Sequence, residues 1–263
     1  AICKADMLLK GDGKQAEHIS YGSTLSMDGN ATRQFDFMLS NPPYGKTWKV
    51  DAEKMGGKKD ILDSRFNAYL EDGTQLAMIP RVSDGQLLFL LNNAAKMKTD
   101  TPLGSRIAEV HNGSALFTGD AGSGESNARR YLIESDLVEA VIALPEKMFY
   151  NTGIGTYIWV LSNKKEERRK GKIQLIDATA MKSPLRKNMG EKNCELTLEL
   201  RDEIMRIFME MEESSVSRVF DSREFGYWSI TVERPLRLRV YLDRTIPADT
   251  FKKTEELEEV QKA

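Results

Sequence analysis

The sequence predicts an α/β protein with a smaller, partly helical C-terminal appendage. Three observations carry that expectation. Short apolar runs bounded by turn residues recur at 35–39, 107–110, 137–144, 157–161 and 173–176, and read as buried strands. Segments with helical spacing of apolar residues lie among and after them, at 83–97 and across Leu196, Leu200, Ile204, Ile207, Phe208 and Met211. The first strand stops at two consecutive prolines, which places Asn41, Pro42 and Tyr44 at a strand's carboxyl end, where open α/β sheets hold their ligands.

Composition sets the outer bounds. With 263 residues, 40% of them hydrophobic, the chain can bury one large core, or one core plus an appendage. A net charge of −2 does not announce nucleic-acid binding, so a DNA reader built on this chain needs local basic patches or a basic partner. Cys3 and Cys194 stand far apart in sequence, which argues against a disulfide framework or a zinc site and fits a reducing cytosol. No apolar run approaches the roughly 18 residues of a membrane span, and no signal peptide is present. The expected protein is soluble and cytoplasmic, without membrane segment or metal.

In chain order, Ile2, Cys3, Met7, Leu8 and Leu9 suit a helix end or a buried strand, interrupted by Asp6. A lone Asp at such a place is most often a cap or turn former. Residues 10–33 are polar and rich in Gly and Ser, and read as connecting loop with one short strand. Then comes Phe35-Asp36-Phe37-Met38-Leu39-Ser40-Asn41-Pro42-Pro43-Tyr44. The prolines end regular structure, and the residue before proline is driven to an extended conformation.

The chemistry that suits Asn41-Pro42-Pro43-Tyr44 is activation of a planar amino nitrogen. Such a nitrogen is a poor nucleophile because its lone pair is delocalised into the ring or carbonyl it is attached to. The Asn41 side-chain oxygen and the Pro42 carbonyl can each accept one N–H, drawing the nitrogen towards tetrahedral geometry. A carbonyl held between two proline rings needs little reorganisation during reaction. Tyr44 would stack on the ring plane. A Pro-Pro turn capped by Asn is the bland alternative, and the apolar strand ahead of it favours the chemical reading.

Downstream, 45–59 carries Lys46, Lys49, Lys54, Lys58 and Lys59 against Asp51 and Glu53, and reads as a solvated loop that can reach phosphates. Trp48 stacks there or anchors the loop. In 83–97, Ser83 and Gln86 have capping-box spacing. His111 has no nucleophile or metal partner near it in sequence and is not assigned a role. Gly119, Gly122 and Gly124 precede a helix bearing Arg129 and Arg130, but without the spacing of a phosphate-binding loop. A flexible loop near the site is expected. Residues 164–172 hold six basic residues against two acidic, a charged hairpin tip that can touch phosphate. Phe149 and Tyr150 lie in a strand-to-strand loop, where aromatics usually belong to the core. Residues 182–193 look like a linker, 225–228 and 230–232 like a short strand pair, and the tail from Thr254 like a charged helix.

Longer stretches carry a resemblance. Ala1-Ile2-Cys3-Lys4-Ala5-Asp6-Met7-Leu8, Ser83-Asp84-Gly85-Gln86-Leu87-Leu88-Phe89-Leu90, His111-Asn112-Gly113-Ser114, Leu116-Phe117-Thr118-Gly119, Gly122-Ser123-Gly124-Glu125-Ser126-Asn127 and Met148-Phe149-Tyr150-Asn151-Thr152-Gly153 join Asn41-Pro42-Pro43-Tyr44. Together they resemble the modification (M) subunit of type I restriction–modification systems, an adenine-N6 DNA methyltransferase. The similarity runs to about Leu236.

The resemblance implies a Rossmann-like methyltransferase sheet, with S-adenosylmethionine as cofactor and a DNA adenine as acceptor. It implies Asn41, Pro42, Pro43 and Tyr44 as the catalytic motif, Asp6 as acceptor for the cofactor's adenine amino group, and Phe149, rather than Tyr150, packing on the flipped base opposite Tyr44. It also implies a specificity subunit that reads the DNA, and a restriction subunit. The family's glycine-rich cofactor loop has no counterpart ahead of Asp6, so a fragment is expected, with the catalytic core over 1–181 and the appendage over 182–263. Two other functions remain on these residues: a partner-binding fragment without catalysis, or a methyltransferase acting on RNA or on a protein glutamine.

Overall fold

The apolar runs assemble into a mixed sheet flanked by helices. In the computed structural model, residues 2–233 are described, apart from Glu71 and Asn151. The elements below lie in one unit, Ala1–Ser229; of a second, Ile230–Ala263, only 230–233 are described, and the helix expected from Thr254 lies outside the described residues. In chain order, α1 (Ile2–Leu9) and α2 (Gly13–Ala16) precede β1 (Phe37–Ser40), α3 (Lys49–Lys54), β2 (Asn67–Tyr69), β3 (Gln75–Ala77), α4 (Gln86–Ala94), β4 (Arg106–Asn112), α5 (Ser114–Phe117) and α6 (Gly124–Glu134). β5 (Val138–Ala143), β6 (Thr156–Ser162), β7 (Lys172–Asp177), β8 (Ser183–Met189), β9 (Lys192–Glu195), α7 (Leu198–Glu210) and β10 (Ser217–Asp221) follow.

The six-stranded sheet has the order β1-β4-β6-β5-β7-β10. β1 runs parallel to β4 and β5 parallel to β7, while β6 and β10 run antiparallel to their neighbours. The register Asn112↔Thr156 and Ala143↔Tyr157 brings the carboxyl ends of β1, β4, β5 and β7 to one end of the sheet, where β6 begins. All loops that leave those strands at their carboxyl ends therefore lie at that end of the sheet. The sheet decides this.

One face packs on α4 and α6. Leu87, Leu88 and Leu91 of α4 and Leu132 of α6 join Ile107, Trp159 and Leu161 of the sheet, with Phe66 and Met78 beside them. On the other face, Ile204, Ile207 and Phe208 of α7 cover Ala140, Ile142, Val160 and Ile176. Each of those three α7 side chains contributes about 1.5–3 kcal/mol by leaving water. Residues after Lys182, expected from sequence as an appendage, thus supply a helix over the sheet and its edge strand β10.

Several expectations are corrected. The strand over 35–39 forms as Phe37–Ser40, but it is not buried on both faces: Met38 is buried, while Phe37 and Leu39 are 67% and 86% exposed. β1 is an edge strand, and no described element covers that face. Residues 10–33 hold the short helix α2 and no strand. The helix over 83–97 begins only at Gln86, because the Gln86 side chain turns into the core instead of back to Ser83. The proposed linker over 182–193 is the hairpin β8–β9. Residues 226–233 form no strand.

Candidate active site

Asn41 sits exposed just beyond β1, Pro42 is buried, Pro43 exposed and Tyr44 half-buried. Gly45 follows with φ +65°, the left-handed region that glycine adopts without a Cβ penalty. Three hydrogen bonds pin the loop to the segment ahead of α4. Gly45 N donates to Asp84 Oδ1 (3.2 Å), Trp48 N to the Val82 carbonyl (3.0 Å) and Trp48 Nε1 to the Arg81 carbonyl (3.0 Å). Trp48 is buried and its ring lies over Gly85, where an added Cβ would stand 2.9 Å from the indole. Trp48 is the anchor, not a stacking platform.

Asp84 was not singled out by sequence, and it is the hub beneath this loop. Its Oδ2 accepts from Gln86 Nε2 (2.7 Å) and lies 2.7 Å from Ser114 Oγ. Gln86 Nε2 also reaches Asn112 Oδ1 (2.8 Å), while Gln86 Oε1 accepts from Asn112 N (3.2 Å) and faces His111 Nδ1 (3.0 Å). The network therefore ties the loop after β1 to the carboxyl end of β4, its neighbour in the sheet. His111 is fully buried, edge-on to Trp159, and its Nε2 stands 3.1 Å from Glu109 Oε1 without hydrogen-bond alignment. The available signal was an Asp-Gly ahead of a helix paired with Asn-Gly-Ser after a strand, polar residues where apolar ones would pack.

The glycine loop after α5 is held by close packing. Ser123 caps α6 through Ser126 N, Glu125 accepts from Arg81 N (2.9 Å), and Gly124 lies so close to Ile79 that a Cβ would meet its carbonyl oxygen at 1.8 Å. Arg129 donates to the Ala115 and Thr118 carbonyls, and Arg130 pairs with Glu134, so Arg129 closes the fold here.

The Met148–Gly153 region leaves β5 at the same sheet end as Asn41. Two strand spacings separate β1 from β6, about 10 Å. Phe149 is half-buried against the Ile142 and Val160 cluster, and Tyr150 is 58% exposed. Asp6 lies on α1, which buries no residue, and its Oδ2 accepts from Lys10 Nζ (2.7 Å). A groove of about 430 Å³ opens nearby, lined by Cys3, Lys4, Ile19, Tyr21, Met27 and Lys54 among others; Asp6 is not in its wall.

The basic turn over 164–172 is at the opposite end of the sheet, since Ser162 pairs with Arg106 at the start of β4. Four of its six cations are also engaged: Lys165 with Asp136 (2.5 Å), Arg168 with Glu166 (2.7 Å), Arg169 with Glu139 (3.4 Å) and Lys170 with Glu167 (2.7 Å). It cannot touch phosphates beside Asn41. Among the described residues there is no metal-ligand cluster and no helix long and apolar enough to cross a membrane, and both cysteines are free.

Sheet order and the position of the Asn41 loop define the class: a Rossmann-like methyltransferase fold. The match to the N-6 DNA methylase family covers residues 1–233, and the chain belongs to that family. Among curated relatives, the type I restriction enzyme MjaVII methylase subunit of Methanocaldococcus jannaschii is 28% identical over 99% of this chain and 42% of its own length. The MpnII methylase subunit of Mycoplasma pneumoniae is 33% identical over 55% of this chain and 23% of its own. Among solved structures, a type I restriction–modification methyltransferase subunit from Streptococcus thermophilus shares the fold, with a TM-score of 0.63 and 23% identity over 83% of this chain and 41% of that one. The chain spans less than half the length of these relatives.

Proposed function

We propose that this chain carries the base-acceptor side of a DNA adenine-N6 methyltransferase, within the modification subunit of a type I restriction–modification complex. The supporting observation is the Asn41-Pro42-Pro43-Tyr44 loop, pinned by Asp84 and Trp48 at the sheet end that also holds the Phe149 loop. A target adenine, extruded from its duplex at a cost of about a few kcal/mol, enters between these loops. Asn41 Oδ1 and the Pro42 carbonyl each accept one hydrogen of the amino group, while Tyr44 covers one face of the ring and Phe149 the other. With Pro42 buried and Gly45 tied down, the acceptors are set before the base arrives, so little reorganisation remains.

S-adenosylmethionine supplies a methyl group on a sulfonium leaving group. Of the described residues, Asp6, on a helix that buries no residue and with its carboxylate beside Lys10, is the acceptor this reading gives to the cofactor's adenine amino group. Asp6 is thus the cofactor contact proposed for this chain. A specificity subunit that reads the DNA sequence, and a restriction subunit, complete the proposed assembly.

The test is transfer of labelled methyl from S-adenosylmethionine to duplex DNA by the complete subunit with its specificity subunit. N6-methyladenine is the expected product, and Asn41→Ala lowers kcat by about 100-fold or more. Label found on RNA or on a protein glutamine, or an Asn41→Ala enzyme of full activity, overturns the reading.

A further inference from the structure

We propose that the β8–β9 hairpin is a contact surface for the DNA backbone beside the target base; this rests on the DNA-methylation reading above. The hairpin is a two-stranded sheet of its own, separate from the main one, and it leaves β7 at the sheet end that holds Asn41. A free two-stranded hairpin is marginally stable in water, so its geometry depends on what it packs against. Here it packs on the loop that carries Phe149 and Tyr150. Asn193 N donates to the Lys147 carbonyl (3.0 Å), Cys194 Sγ approaches the Glu146 carbonyl (3.3 Å), and Tyr150 Oη approaches Met189 Sδ (3.4 Å). Lys192 Nζ lies 5.6 Å from the centre of the Tyr150 ring.

The share of unpaired charge is higher than in the basic turn over 164–172. Residues 182–195 hold four basic side chains against two acidic. Among the described residues, Lys182, Arg186 and Lys187 are exposed and have no carboxylate partner, whereas at the far end four of the six cations, Lys165, Arg168, Arg169 and Lys170, are ion-paired and only Lys164 and Lys172 are not. Cations left unpaired beside a site for a polyanion are available to release its counterions. The reach also matches: β7 stands four strand spacings from β1, about 19 Å. At about 3.4 Å per base pair, that is five to six steps along a duplex whose target base sits at Asn41.

The experiment measures DNA affinity of the complete methyltransferase complex against salt, for the wild type, for Arg186→Gln with Lys187→Gln, and for Arg168→Gln with Lys170→Gln as a far-end control. Both pairs are exposed, so the variants fold; circular dichroism checks this. The expected result is a loss of about tenfold in affinity for the hairpin pair, with a salt slope reduced by about 2 and kcat at saturating DNA unchanged, while the control matches wild type. Equal affinity and slope in the hairpin variant overturn the proposal. So does intact DNA binding with lost binding of another subunit, which reassigns the surface to an acidic protein. A wild-type complex that binds no DNA sinks the methylation reading instead, and is seen before any variant is compared.

Discussion

Asp84 Oδ1 accepts the backbone N–H of Gly45 at 3.2 Å, so the residue after Tyr44 hangs from the segment that opens α4. The carboxylate's other oxygen is fixed by Gln86 and Ser114, which are themselves held by Asn112 at the end of β4. Asp84 is a positioning residue for the Asn41 loop. Asp84→Ala leaves buried donors without an acceptor, and each such group costs about 1–3 kcal/mol. The expected outcome is faster hydrogen exchange over 41–48 and a kcat lowered more than KM. Asp84→Asn, which keeps one acceptor oxygen for Gly45, recovers part of both. Exchange over 41–48 unchanged in Asp84→Ala would remove the positioning role.

Phe149 is proposed both to pack against the core and to stack on the base. Phe149 is half-buried and Tyr150 is exposed, so only the first contributes to the core. Phe149→Leu keeps apolar volume and is expected to cost less than about 1.5 kcal/mol of stability. It removes the ring, and with it about 1–3 kcal/mol of base stacking, read as a tenfold or greater drop in fluorescence-detected capture of 2-aminopurine at the target position. If Tyr150→Ala shows that drop and Phe149→Leu does not, the stacking role passes to Tyr150.

Asp28 gives stability a pH dependence. Burial alone would raise its carboxyl, but bonds from Lys96 (2.6 Å) and the Asn30 amide, with the Arg65 charge, more than offset this and hold it below its ordinary 3.8. Asp63 is likewise lowered by Arg65 despite burial. A depressed folded value means the stabilisation is complete above about pH 4, the unfolded range, and is lost as pH falls through the lower folded values. Denaturant titrations from pH 7 to pH 3 are expected to show that decline. Asp28→Asn leaves Lys96 buried without its carboxylate, and is expected to cost about 3 kcal/mol at pH 7 with a flatter acid limb. A limb as steep as wild type would show that other carboxylates set it.

Gly124 is required by space and not by backbone angle. A methyl group there meets the Ile79 carbonyl oxygen at 1.8 Å, and backbone on both sides cannot yield cheaply. Gly124→Ala is expected to destabilise by about 2–3 kcal/mol or more, in thermal or urea unfolding. Gly122→Ala has open space but a φ of +81°, so it pays only the conformational strain, about 1–2 kcal/mol. Equal effects of the two would refute the close-packing account.

The strands at β4, β5, β6 and β7 were legible because each is a run of apolar residues between turn signals, a local pattern. The α7 face was legible for the same reason, through Ile204, Ile207 and Phe208. The hairpin β8–β9 was not: Ser183 to Met189 carries Pro184, Arg186, Lys187 and Asn188, and it becomes a strand only by pairing with Lys192 to Glu195 against the Phe149 loop. Asp84 was missed because its neighbours in the network, Asn112 and Ser114, are 28 and 30 positions away in sequence.

By itself, the sequence determined the α/β class and the Asn-Pro-Pro-Tyr segment at a strand's carboxyl end. Both rest on short-range rules: hydrophobic periodicity within a strand or helix, and the restriction that two prolines impose on Asn41. What only the tertiary structure decided is which of the chain's charged and polar groups stand together. Strand order and direction carry the basic hairpin β8–β9, which reads as a linker in sequence, to the Asn41 end of the sheet, and the basic turn over 164–172 to the far end. A hydrogen bond such as Asp84 to Gly45 spans 39 positions, and no local preference encodes it. It exists because the core between α4 and the sheet leaves those two groups within reach of each other.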